Sequence, residues 1–172
     1  MRTGFTLLLI TLTLSGCGVF SGMGGERSEA RQQELEEAYQ QYSRMISDGN
    51  FVFTVQSINP TGGRTIQATS TYTMRAEDGT YEANLPYFGR AYTAPYGSGG
   101  GIRFEGDPED REIEKDPSKR TTPLTFSIGD VEISNEQYRV TLEISASGYG
   151  TLTVNSQNRQ TISYYGKITG IQ

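Results

Sequence analysis

One residue of this sequence is placed for covalent chemistry: Cys17, its only cysteine. It ends the run Leu14-Ser15-Gly16-Cys17, behind an apolar stretch at residues 5–14 and a basic residue, Arg2. A short positive start, an apolar stretch and small residues at the exit describe an export signal. The Leu-Ser-Gly-Cys ending looks like a bacterial lipobox, in which the cysteine is lipidated on sulfur and becomes the new N-terminus after cleavage. The apolar run is shorter than the roughly 20 residues a membrane-spanning helix needs. Each buried methylene is worth roughly 0.8 kcal/mol, so a diacylated cysteine holds a protein on the membrane where one chain binds reversibly. The sequence therefore predicts a signal peptide at 1–16, a membrane partner reached through Cys17, and a periplasm-facing position on the outer membrane of a cell envelope.

A second group of residues suits recognition. Tyr87, Phe88, Tyr92 and Tyr96, with Arg90, precede Ser98-Gly99-Gly100-Gly101. Such aromatics at a barrel mouth stack on a sugar, a lipid headgroup or a peptide. Equally, Leu85-Pro86 ends a strand, the rings plug one barrel end, and the glycines let the chain cross closely over the sheet. The glycine run lacks the Gly-Lys-Ser/Thr ending of a phosphate loop. The acids from Glu105 to Asp116 lack the spacing and glycine of a calcium loop and are interleaved with Arg111 and Lys115, which suits a solvated strand or loop. Each Asp and Glu reads as sitting on an exposed face or in a turn.

Composition narrows the chemistry. Histidine is absent, which removes Ser-His-Asp and Cys-His nucleophilic machinery and the imidazole sites of catalytic zinc. With Cys17 acylated no thiol remains for a disulfide. The formal net charge is −5, and more negative once Arg2 leaves with the signal, which argues against nucleic acid as a partner. No cofactor and no metal are expected, and the protein reads as a non-enzyme.

These residues need elements to position them. Residues 17–25, rich in glycine, read as a flexible tether. Residues 26–48 read as an amphipathic helix with Leu35, Ala38, Tyr39, Tyr42, Met45 and Ile46 on one stripe, stopped by Asp48-Gly49-Asn50. From Phe51 the period changes to two. Ile66, Ala68, Tyr72 and Met74 share a face, and Asp78-Gly79 marks a hairpin. Leu124, Phe126 and Ile128 alternate, followed by Val131 and Ile133. Tyr138, Val140, Leu142 and Ile144 face one way, and turns lead on to Leu152, Val154, Ile162, Tyr164 and Ile168. The expected fold is all-β with one N-terminal helix: residues 49–172 form an antiparallel meander, a small β-barrel, with the helix part of the same unit.

The segment Leu85-Pro86-Tyr87-Phe88-Gly89-Arg90-Ala91-Tyr92, continuing through Ala94-Pro95-Tyr96-Gly97 and Gly100-Gly101-Ile102-Arg103-Phe104, resembles the hallmark of the DUF4251 family. So does the end, from Gly150-Thr151-Leu152-Thr153-Val154 through Asn158-Arg159 to Ile162-Ser163-Tyr164-Tyr165-Gly166-Lys167-Ile168. The resemblance implies a lipoprotein of Bacteroidota with a barrel of lipocalin-like topology, and it carries over no catalytic residues. Two functions remain open. One is a non-catalytic binding module holding a small apolar or amphipathic ligand in the barrel, with the aromatic segment at its mouth. The other is a structural or assembly protein that binds another envelope protein. The first predicts an interior cavity of a few hundred Å³, and a barrel filled by side chains defeats it and favours the second.

Overall fold

In the computed structural model, which describes residues 22–92, 100–133 and 135–171, helix gives way to sheet at Phe51. Residues 1–16, read from the sequence as a signal peptide, together with Cys17 and Tyr96, lie outside the described residues. Helix α1 spans Gly22–Asp48, beginning within the stretch assigned to the tether. Ten strands follow: β1 (Phe51–Pro60), β2 (Ile66–Gln67), β3 (Thr73–Glu77), β4 (Thr80–Leu85), β5 (Ile102–Gly106), β6 (Glu109–Ile113), β7 (Thr121–Gly129), β8 (Gln137–Ser145), β9 (Tyr149–Ser156) and β10 (Ile162–Gly170).

Every ladder is antiparallel, and the strands run in the order β5-β4-β3-β1-β10-β9-β8-β7-β6, with β2 added beside β1. The sheet curls into a half-barrel consistent with a lipocalin-like barrel. Aromatic contacts cross its interior. Tyr81 on β4 lies 4.6 Å from Phe126 on β7, and Phe104 on β5 lies 6.1 Å from Phe126 and 6.4 Å from Tyr138 on β8. The two ends of the sheet therefore face one another, joined through Asp107-Pro108 and by the Val131 amide donating to the Arg103 carbonyl at 3.1 Å.

Period-two alternation decides which side chains fill this space. Residues Tyr138, Val140, Leu142 and Ile144 are all buried, as are Leu124, Phe126 and Ile128. Phe51, Phe53, Tyr81, Phe104, Phe126, Tyr138 and Tyr164 are all fully buried, so rings occupy the interior. Two local departures from the pattern matter. Between Val55 and Ser57 the β1–β10 register shifts, and this bulge turns Ile58 inward. Val131 and Ile133, read as continuing the alternation, instead sit in a loop, with Val131 exposed. There the Asp130 carboxylate accepts the amides of Glu132 and Ile133, a local turn that outcompetes the strand.

At the other end of the sheet, α1 buries Tyr39, Ser43 and Ile46, the centre of the stripe read from the sequence. The Ser43 and Thr122 hydroxyls pair at 2.6 Å, so no polar atom of either side chain is stranded. The helix has no basic residue in its last turn. Arg111, from β6, supplies the charge instead. Its Nη2 donates to the carbonyls of Ile46 (3.0 Å) and Ser47 (2.9 Å), and its Nε donates to the Tyr81 hydroxyl (3.0 Å). A cation at this terminus satisfies orphan carbonyls and complements the helix dipole. Arg111→Met is expected to lower stability by about 1 kcal/mol. A double-mutant cycle with Tyr81→Phe in urea checks it, and additive effects would refute the coupling.

Candidate functional site

The described part of the aromatic segment, Tyr87–Tyr92, forms a strap across the barrel end opposite α1. Leu85 and Pro86 end β4 as expected, and the chain then runs against the β9–β10 turn. Ala91 bridges to Arg159, the Tyr92 amide donates to the Asn158 carbonyl (2.8 Å), and the Gln160 amide donates to the Arg90 carbonyl (2.9 Å). The Tyr87 hydroxyl lies 2.8 Å from the Arg90 carbonyl and 2.9 Å from that of Gln160. Pro86 is fixed from below by the Tyr164 hydroxyl at 2.8 Å.

The named residues separate into distinct roles. Tyr87 is half-buried with its hydroxyl held by backbone carbonyls, whereas Phe88 (53 % exposed) and Tyr92 (70 % exposed) project from the surface. The Arg90 side chain is exposed, and it is the residue's backbone carbonyl that ties the segment down. Phe88 stands between two grooves. One, of about 620 Å³, is lined by Tyr72, Pro86, Tyr87, Gly101, Arg103 and Glu132, among others. The second, of about 330 Å³, lies between Phe88-Gly89-Arg90 and Pro60–Gly63.

Beneath the segment is a polar cluster that corrects one expectation: not every carboxylate is exposed. Glu136 is buried, and so is Arg159. The Arg159 guanidinium sits 5.3 Å from the Tyr87 ring centroid, its Nη1 donates to the Gly101 carbonyl at 2.6 Å, and its Nε lies 4.0 Å from Glu136 Oε1. Glu136 accepts from the Ser156 hydroxyl and from Asn158 Nδ2 (2.7 Å). Nearby, Asp130 accepts from the Tyr138 hydroxyl at 2.6 Å, and Arg103 pairs with Glu132. Glu136 was legible in principle. It stands two residues before Tyr138, on the inward parity of β8, where a carboxylate needs partners.

Burial pushes the Tyr87, Tyr138 and Tyr164 phenols above their ordinary range, and for Tyr138 the hydrogen bond donated to Asp130 adds to the effect. A phenol near 10 when unfolded and higher when folded makes the native state bind more protons above pH 10. This contribution to stability is complete below pH 10 and falls as pH rises beyond it. The chain has 11 tyrosines and no tryptophan, so tyrosinate absorbance reads cleanly. In an alkaline titration, part of that signal is expected to appear only as the protein unfolds, and Tyr138→Phe with Tyr164→Phe should remove it. Full ionisation with native circular dichroism retained would contradict this.

Among the described residues no helix is long and apolar enough to cross a membrane, and no group of three or more potential ligands is placed to hold a metal ion. None of the curated proteins compared with the chain matches it. A crystal structure of a DUF4251 family protein from Bacteroides eggerthii is similar in fold, with 19 % identity over 78 % of this chain and 89 % of that chain and a TM-score of 0.59. The family described as "Domain of unknown function (DUF4251)" matches residues 33–168, which include the strap, both grooves' principal residues and the Glu136–Arg159 pair. The chain belongs to the DUF4251 family.

Proposed function

We propose that this chain is a cell-envelope lipoprotein, held through acylated Cys17 on the periplasmic side of the outer membrane, and that it acts as a non-catalytic binding module for a small amphipathic ligand. The observation that carries this reading is the groove of about 620 Å³ beside exposed Phe88. Its size lies within the roughly 300–1,000 Å³ range of small-molecule pockets, and it joins apolar rings to an ion pair. Aromatic side chains fill the barrel interior, where the ligand was expected, so the proposed ligand moves from the barrel to this end groove. Arg120, just before β7, holds Gln32 and Glu36 of α1, so the helix meets the sheet at the end away from Phe88.

Native mass spectrometry of the protein extracted from its host membranes tests this. A co-purifying small molecule is expected, with occupancy reduced several-fold in Phe88→Ala. The filled interior also supports the assembly reading, in which the exposed first half of α1, Arg27–Glu34, contacts another envelope protein. A ligand-free spectrum together with site-specific crosslinks from that helix face would replace the first reading with the second. Cys17→Ala is expected to move the protein from the membrane to the soluble fraction, and unchanged fractionation would remove the anchor.

A further inference from the structure

Hydrogen-bond accounting around Arg159 points to the chemistry of the ligand, on the reading that the end groove is a binding site. A guanidinium carries five N–H donors. In Arg159, Nη1 reaches the Gly101 carbonyl, Nε is 4.0 Å from Glu136, and Nη2 is buried with no hydrogen-bond partner among the described residues. The neighbouring carboxylates are differently placed. Glu136 is engaged by Ser156 and Asn158, and Asp130 by the amides of Glu132 and Ile133 and by the Tyr138 hydroxyl. Neutral donors have taken the acceptors, and the arginine is left short of them. A buried donor without an acceptor forfeits its hydrogen bond to water, so an incoming acceptor there is favoured.

Charge decides what kind of acceptor. Arg103 and Arg159 face Asp130, Glu132 and Glu136, which leaves the cluster one unit negative. An anion meets this surplus, and a cation supplies no acceptor and meets Arg159. A neutral carbonyl meets neither objection. The structure already contains one example, since the Gly101 carbonyl is the group that Arg159 holds. Gly101 lines the groove, and so does Tyr87, whose ring covers the guanidinium. Arg159 therefore contacts two groove-lining residues, one of which presents only backbone.

We infer that the groove binds an uncharged, carbonyl-bearing amphiphile, an amide or ester. Its carbonyl lies beside that of Gly101 and accepts from Arg159 Nη2, and its apolar part rests on Phe88 and Tyr72. The groove wall beside Arg159 includes Gly101, which carries no side chain to block the approach.

Three probes with one apolar body separate the possibilities: 3-phenylpropanamide, 3-phenylpropanoate and 3-phenylpropylamine. Each is titrated into the acylated full-length protein in nanodiscs and followed by NMR at the Gly101 amide and the Arg159 side-chain N–H signals. The amide is expected to bind at least tenfold more tightly than the two ions and to shift the Arg159 signals. In the paired variant Glu136→Leu/Arg159→Met that preference should vanish while binding near Phe88 persists. Tighter binding of either ion, or amide binding that leaves the Arg159 signals unmoved, overturns the carbonyl assignment but leaves the groove as a binding site. Absence of binding by all three at millimolar concentration overturns both. Substituting ethyl 3-phenylpropanoate for the amide then distinguishes an ester source from an amide source.

Discussion

Replacing Glu136 by alanine is expected to destabilise the protein by about 3–5 kcal/mol, which is the cost of leaving a buried charge without its partner. The side chains of Glu136 and Arg159 are each only 3 % exposed, so solvent is not available to screen the arginine once the carboxylate is gone. The same change frees the Ser156 hydroxyl and Asn158 Nδ2 and loosens the β9–β10 turn on which the aromatic strap rests. Urea unfolding reads the loss as a lower midpoint at unchanged slope. Removing both charges together, as Glu136→Leu/Arg159→Met, is expected to restore most of the stability, because the desolvation cost of the pair leaves with it. A single-variant loss below about 1 kcal/mol, the range of surface ion pairs, would show that water reaches this cluster.

Gly150→Ala should be nearly as damaging for a purely steric reason. Gly150 faces Ile144 on β8 and Gly166 on β10. An added Cβ would overlap the Glu143 carbonyl oxygen and come within 2.7 Å of the Ile144 Cδ1. The partner Gly166 is equally closed, by the Thr54 carbonyl and the Phe53 ring. Backbone cannot yield as a flexible side chain does, so the strands must separate. A loss of roughly 3 kcal/mol or more follows, which for a chain of this size lowers the melting temperature by roughly 6–12 °C. Gly62→Ala is the control. Its φ is +75° but nothing lies within 4 Å of an added Cβ, so only conformational strain of roughly 1–2 kcal/mol is expected. Equal losses at the two positions would mean that strand approach is not the cause.

Much of the architecture was legible because it depends on periodicity. Alternation along Tyr138–Ser145 specifies a face whatever the strand pairs with, and Asp78-Gly79, with φ values of +50° and +90°, forms the hairpin turn that its residue types favour. The helix stripe was visible for the same reason, although its start at Gly22 was not, since glycine carries no apolar signal. The aromatic segment announced itself by composition. Its division into a half-buried, hydrogen-bonded Tyr87 and exposed Phe88 and Tyr92 depended on contacts with Gln160, some seventy residues further along the chain.

By itself the sequence determined the lipobox-like motif at Cys17, the switch from a helical to a strand period at Phe51, and the faces that each strand buries, because these are local properties of neighbouring residues. Only the tertiary structure decided that Arg111 caps a helix on which it does not lie, that Glu136 and Arg159 meet beneath the strap, and that rings rather than empty space occupy the barrel. Those outcomes depend on which strands pair and in what register, and pairing free energy is shared among residues distant in sequence, so no window along the chain contains it.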